Sequence, residues 1–148
     1  MINNSIIKKI LNTDTSVSTL PLRIVAGIIF AAHGSQKLFA WFGGYGLDGT
    51  GQWMDSIGLG PGYLMALTAG SVEFFGGLLL ILGLLTRPTS ALLAITMVVA
   101  IIKVHLANGL FMANNGYEFA LVLLAISVAL AIQGGGKYSV DQTISQKL

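Results

Sequence analysis

Residues 64–85 read LMALTAGSVEFFGGLLLILGLL and decide the fold class. In these 22 residues the only charged side chain is Glu73. About 20 consecutive apolar residues are needed for a helix to cross the hydrocarbon core of a bilayer. The stretch therefore predicts a transmembrane helix with one carboxyl group inside it.

Three further hydrophobic segments have similar length, at residues 22–42, 89–106 and 117–133. Glycine and proline punctuate the intervals between them, as expected where helices end. The sequence predicts an all-α membrane protein, an antiparallel bundle of four transmembrane helices. We expect an interfacial segment at residues 1–19, the four-helix domain at 20–134 and a tail at 135–148.

An even number of crossings places both termini on one side of the membrane. That side then holds six of the eight basic residues, which are Lys8, Lys9, Arg23, Arg87, Lys137 and Lys147. The positive-inside rule makes this side cytoplasmic. In the first segment Ile2, Ile6, Ile7, Ile10 and Leu11 recur at helical spacing, which suits a short helix on the membrane surface.

The composition excludes several classes of function. Charged residues make up 9% of the chain and hydrophobic residues 54%, against roughly 25% charged residues in a soluble domain. The eight basic residues form no block, so no nucleic-acid role is predicted. Because the chain has no cysteine, it offers no thiolate nucleophile, disulfide or cysteine-ligated cluster.

Glycines in the second segment predict close helix packing. Gly70 and Gly77, and separately Gly76 and Gly83, stand seven residues apart, so each pair shares nearly one face of a helix. Alternatively, these glycines make room between the helices for a flat ligand. Glycine-rich faces also favour association into a homo-oligomer.

Ionisable residues inside the segments need a partner or a cavity, because an isolated charge in hydrocarbon costs several kcal/mol. At about 1.5 Å of rise per residue, Lys37, Lys103 and Glu118 lie about 22 Å from the cytoplasmic end and Glu73 about 18 Å. We expect this layer to be neutral, with Lys37 paired to Glu73 and Lys103 to Glu118.

Two interpretations of this layer stay open. Buried ion pairs can fix the register of helices without doing chemistry. Alternatively, Glu73, His33 and Lys37 form the catalytic group of a polar cavity, in which Glu73 or His33 handles protons and Lys37 holds an anionic or carbonyl oxygen. Other candidate ligand-binding residues are Gln36, Phe30, Trp41, Phe74, Lys103 and Glu118.

Haem ligation by the two histidines is not predicted. By the same helical rise His33 lies about 16 Å deep and His105 about 25 Å, whereas bis-histidine ligation needs both rings at one level. A metal site built from His33, Glu73 and His105 is conceivable. However, the sequence has no HExxH motif, no Glu-x-x-His pair within a segment and no histidines at i, i+4, so no metal site is predicted. The cofactor stays unknown, with quinone as a candidate.

Three polar residues near the cytoplasmic side are expected to be structural. Arg23 and Arg87 are placed to reach headgroup phosphates or to cap helix C-termini. Asp141 would pair with Arg23 or Arg87, or would be a solvated carboxylate.

Several motifs together resemble the DoxX family of small bacterial inner-membrane proteins, over about residues 20–142. They are LR at 22–23, HGSQK at 33–37, EFFGG at 73–77, LGLLTR at 82–87 and GGGKYSVD at 134–141. The resemblance implies a four-helix protein of the bacterial inner membrane. It also implies relatives that act as a subunit of thiosulfate:quinone oxidoreductase, in oxidative-stress complexes or in responses to catechols and quinones.

The same resemblance matches His33, Lys37, Glu73, Arg23, Arg87 and Asp141 to the polar positions of the family. The leading hypothesis is a membrane subunit of a redox or detoxification system that binds a quinone or small aromatic, with a soluble protein supplying electrons. Without cysteine, sulfur chemistry would need a partner. The alternatives are an oligomeric transporter of a small solute or protons, and a non-catalytic assembly or maturation factor.

Overall fold

The computed structural model describes residues 7, 10–13 and 15–147, and the described residues contain helices and no β-strand. Ile7, Ile10 and Leu11 are helical, while Ile2 and Ile6 of the predicted surface helix lie outside the described residues. Between residues 15 and 147 there are six α-helices. They are α1 (Thr19–Phe39), α2 (Gly46–Ser56), α3 (Gly62–Leu82), α4 (Thr86–Ala100), α5 (Glu118–Gln133) and α6 (Val140–Ser145).

The helix boundaries differ from the predicted segments by a few residues. Helix α3 ends because Gly83 adopts a left-handed conformation, with φ of 66°, and its N–H bonds back to the carbonyl groups of Leu79 and Leu80. Helix α4 does not stop at Ala100 but continues as a π-helical turn, Ile101–His105, and a 3₁₀ turn, Leu106–Asn108. The interval between the first two hydrophobic segments contains the 11-residue helix α2.

Helices α1 and α3 pack with the most extensive contact of any pair. A Cβ atom added at Gly77 would lie 2.5 Å from the backbone oxygen of Gly27, and one at Gly34 would lie 2.7 Å from the oxygen of Gly70. The predicted close approach through Gly70 and Gly77 is confirmed. The second predicted pair is wrong, because Gly83 lies beyond the end of α3, where it serves as the helix cap.

The apolar core joins α1 and α3 to the second packed pair, α4 and α5. Its fully buried members include Phe30, Leu80, Leu93 and Leu130. The outward faces are apolar too, with Ile28 56%, Ile95 61% and Ile132 67% exposed. Such all-round hydrophobicity is typical of helices surrounded by lipid.

Contacts between helix ends establish an antiparallel arrangement. Arg23 at the start of α1 bonds to carbonyl groups at the end of α3 and just after α5, and Asp141 bonds to the start of α4. We call this side of the bundle the Arg23 end. By length and composition, two described helices could cross a membrane, Gly62–Leu82 and Thr86–Asn108, and Glu118–Gln133 is a shorter apolar helix.

Candidate functional site

A cavity of about 770 Å³ lies in the half of the bundle opposite the Arg23 end. Helices α1, α3, α4 and α5 supply its walls, and residues of the loop and helix between α1 and α3 cover it. Small-molecule sites in proteins commonly enclose about 300–1,000 Å³ with mostly apolar walls and a few polar groups. The polar residues here include His33, Gln36, Lys37, Glu73 and His105.

The Lys37–Glu73 ion pair is the polar centre of the cavity. The Lys37 ammonium lies 2.5 Å from Oε2 of Glu73, with the two side chains 22% and 5% exposed. The close contact between α1 and α3 at Gly70 brings the Lys37 and Glu73 side chains within bonding distance. A Cβ at Gly70 would lie only 3.2 Å from Cβ of Lys37. The pairing predicted from helical rise is confirmed for these two residues.

His33 and Gln36 lie on α1 like Lys37 and line the same cavity. The His33 ring lines the cavity and lies 6.0 Å, centroid to centroid, from the ring of Phe119 on α5. Gln36 donates a hydrogen bond from Nε2 to the carbonyl oxygen of Phe42, 3.3 Å away. The three predicted catalytic residues His33, Lys37 and Glu73 are therefore brought together.

The second predicted ion pair is wrong. Lys103 is exposed on the π-helical turn of α4, and no ion pair joins it to Glu118 in the described part of the chain. Instead, Oε1 of Glu118 accepts a hydrogen bond from the backbone N–H of Met112, at 2.6 Å. The predicted partner is wrong because Glu118 is the first residue of α5, and its carboxylate bonds to the loop that precedes the helix.

The predicted aromatic residues divide into two groups. Phe30 is buried and lines the cavity. Trp41 and Phe74 do not line it; they form an aromatic cluster with Phe39, whose ring centroid is 5.1 Å from Trp41 and 5.2 Å from Phe74. Trp41 is removed from the cavity because the chain turns at Ala40, which adopts a left-handed conformation directly after α1. Phe74, on α3, packs against Phe39 and Trp41 instead of lining the cavity.

Sequence reasoning missed several aromatic and polar members of the cavity wall, namely Tyr45, Trp53, His105 and Phe119. Trp53 was recognisable only as an aromatic residue of the longest loop, typical of a membrane interface. Its helix folds back over the cavity because α2 packs on α3 at Gly51, where an added Cβ would meet the Tyr63 backbone at 2.9 Å. A long-range contact of this kind has no local sequence signal.

Arg23 is 1% exposed and forms a separate polar cluster at the Arg23 end. Its guanidinium donates to four backbone carbonyl groups, at 3.3 Å to Leu80, 2.5 Å to Ile81, 3.1 Å to Gly135 and 2.6 Å to Tyr138. Two of these acceptors belong to the C-terminal turn of α3, where carbonyl groups lack helical partners. The guanidinium thus caps α3 and holds the chain that follows α5.

Asp141 and Arg87 also bond to backbone groups. The Asp141 carboxylate is 1% exposed and accepts from the N–H groups of Leu85 at 2.7 Å and Thr86 at 2.8 Å, so it caps the start of α4. Arg87 donates to the carbonyl oxygen of Asn12 at 2.6 Å. Asp141 forms no direct ion pair with either arginine among the described contacts, although its charge interacts with that of Arg23. The alternative of a solvated carboxylate is wrong, because the side chain is buried.

Comparison with known proteins supports one family. The DoxX family model matches residues 18–106. A Bacillus subtilis protein named "Putative oxidoreductase CatD" is 39% identical over 120 residues, covering 81% of this chain and 83% of its own. The "Inner membrane protein YqjF" of Escherichia coli is 33% identical over 137 residues, covering 88% and 95%.

A Mycobacterium tuberculosis relative, "Uncharacterized membrane protein Rv3486", is 29% identical over 150 residues, covering 94% of this chain and 88% of its own. No solved structure gives a significant match. The match of the family model covers more than half of the chain, and the relatives are similar over most of their length. The chain therefore belongs to the DoxX family of membrane proteins.

Proposed function

We propose that this protein is a membrane subunit of a redox or detoxification system, in which the Lys37–Glu73 cavity binds a quinone or a similar small planar ring. The single observation that carries the proposal is a 770 Å³ cavity that combines one ion pair with largely apolar walls. The name of the B. subtilis relative as an oxidoreductase supports the redox class.

The chemistry of the wall suits a quinone. The Lys37 ammonium is a donor for a carbonyl oxygen, and its pairing with Glu73 compensates the charge inside an apolar site. Ring faces and edges for a planar ligand come from Phe30, Trp53 and Phe119.

Reduction of a quinone consumes two electrons and two protons. Glu73 and His33 are placed to exchange protons at this site, and a soluble partner protein supplies the electrons.

The proposal includes a four-helix transmembrane topology with both termini in the cytoplasm of a bacterial cell. Basic residues favour a cytoplasmic Arg23 end, namely Arg23, Arg87, Lys137 and Lys147. The outward apolar faces of the helices contact lipid.

The topology is tested by cysteine labelling. Because the native chain has no cysteine, Lys147→Cys and Asn114→Cys each introduce a single reactive thiol. A membrane-impermeant thiol reagent should label Asn114→Cys in intact spheroplasts and Lys147→Cys only after permeabilisation, and the reverse pattern would invert the topology.

The function is tested by purification in mild detergent followed by extraction and mass spectrometry of bound organic molecules. We expect a quinone with the wild-type protein. We expect at least a tenfold lower occupancy with Glu73→Gln, because this substitution removes the anion that compensates Lys37. The matched control is Glu118→Gln, which removes a carboxylate outside the cavity and should retain the quinone.

Equal quinone content in wild-type and Glu73→Gln protein, both eluting as folded species, would remove Glu73 from the site. Absence of any bound quinone combined with solute or proton flux in proteoliposomes would favour transport by an oligomer. A stable partner protein whose binding ignores substitution of Lys37 and Glu73 would favour an assembly factor.

A further inference from the structure

His105 lines the same cavity as the Lys37–Glu73 pair. It is the last residue of the π-helical turn Ile101–His105 of α4, whereas Lys37 and Glu73 belong to α1 and α3. Irregular turns of this kind inside a helix are frequent at functional sites. The cavity thus has a second polar group contributed by a different helix.

The hydrogen bonding of His105 determines which ring nitrogen carries the proton. Nδ1 lies 2.8 Å from the backbone oxygen of Asn115, which also accepts a bond from Nδ2 of Asn108 at 3.2 Å. A carbonyl oxygen only accepts, so Nδ1 must be the donor. In the neutral imidazole Nε2 is then an acceptor, and it makes no hydrogen bond to any other described residue.

We propose that His105 is a specificity-determining residue whose Nε2 accepts a hydrogen bond from a ring hydroxyl, so that the cavity prefers the hydroquinone to the quinone. This inference rests on the proposed function. The Lys37 ammonium donates to a ligand oxygen in either redox form. A hydroxyl group of the hydroquinone can donate a hydrogen bond to Nε2 of His105. A quinone carbonyl oxygen has no proton to donate, so its lone pairs would face the lone pair of Nε2.

The test uses duroquinone and durohydroquinone as probes, because full ring methylation prevents addition of Lys37 to the ring and neither molecule carries a tail. We expect the wild-type protein to bind durohydroquinone about tenfold more tightly, the size of one well-formed hydrogen bond. By linkage, the midpoint potential of the bound couple should rise by about 30 mV relative to the free couple, since tenfold corresponds to 29.6 mV for two electrons.

Two substitutions separate hydrogen bonding from packing. In His105→Asn the amide nitrogen can take the place of Nδ1 and keep the bond to Asn115, but the shorter side chain puts no acceptor at the position of Nε2. We expect equal affinities for the two probes and no shift of the potential. In His105→Gln the amide oxygen can replace Nε2, so part of the preference should return.

Wild-type protein that binds both probes equally, or duroquinone more tightly, would overturn the inference even if neither variant folds. So would a His105→Asn protein that keeps the preference or loses affinity for both probes alike. In each of these cases the proposed quinone site would stand. Wild-type protein that binds neither probe would overturn the proposed function and this inference together.

Discussion

Two regions of the molecule bury charge in different ways. At the Arg23 end, the charges of Arg23 and Asp141 are bonded to backbone groups, through four carbonyl bonds and two N–H bonds. In the cavity, Lys37 and Glu73 bond chiefly to each other beside open volume. The Arg23 guanidinium uses four of its five N–H donors on backbone carbonyl groups, and both Arg23 and Asp141 are 1% exposed. The first cluster is therefore suited to stability and the second to binding.

The largest expected effect is on the stability of the Arg23 end. Arg23→Ala would leave four carbonyl groups without this donor in a buried setting. We expect a loss of about 3 kcal/mol or more, because hydrogen bonds to a charged group contribute roughly 1.5–3 kcal/mol each. Thermal unfolding in detergent, followed by size-exclusion chromatography, should show a midpoint well below that of the wild-type protein.

Arg23→Lys is the conservative companion of this variant. An ammonium keeps the charge but cannot reproduce the planar fork of donors, so its unfolding midpoint should fall between those of wild type and Arg23→Ala. An Arg23→Ala protein as stable as wild type would break the contrast between the two regions.

Gly77→Ala is expected to have an intermediate effect on stability and binding, because the contact at Gly77 sets the spacing of the two helices that carry Lys37 and Glu73. In Gly77→Ala the new methyl group would meet the backbone of Gly27 and Ala31 at 2.5 Å, so α1 and α3 must move apart. Overpacking of this type costs about 1–3 kcal/mol, and the displacement should also weaken duroquinone binding. The matched control is the neighbouring Gly76→Ala, whose methyl group has as its nearest contact the flexible Leu93 side chain, at 3.4 Å.

If both alanine variants bind duroquinone like wild type, the spacing of α1 and α3 does not control the site. If both lose binding equally, helix propensity or general packing is responsible instead of the specific contact at Gly77.

The smallest effect is expected at Lys103. The side chain is exposed and lies outside the cavity, so Lys103→Gln should change the free energy of unfolding by less than about 0.5 kcal/mol. Duroquinone affinity should match wild type in the same titration. A strong loss of affinity would show that Lys103 contributes to the ligand site, as the estimate from helical rise predicted.

The contrast also explains what sequence reasoning could reach. Helical rise brought Lys37 and Glu73 to one level because α1 and α3 are uninterrupted helices of 21 residues each. The same arithmetic did not predict the partners of Lys103 and Glu118. Lys103 lies where α4 changes to π geometry, and Glu118 is the first residue of α5, where its carboxylate bonds to the preceding loop. The backbone bonds of Arg23 and Asp141 join residues 55 to 115 positions apart, for which the sequence has no local signal.

We propose that the ligand occupies the cavity beside Lys37 and Glu73. Of the two tryptophans, Trp53 lines this cavity and Trp41 does not. Titration of duroquinone into Trp41→Phe protein, which retains only Trp53, should give saturable quenching of fluorescence that Glu73→Gln abolishes. The companion Trp53→Phe protein should show weak quenching of Trp41. Quenching of Trp41 that equals or exceeds that of Trp53, or that persists in Glu73→Gln, would contradict the account.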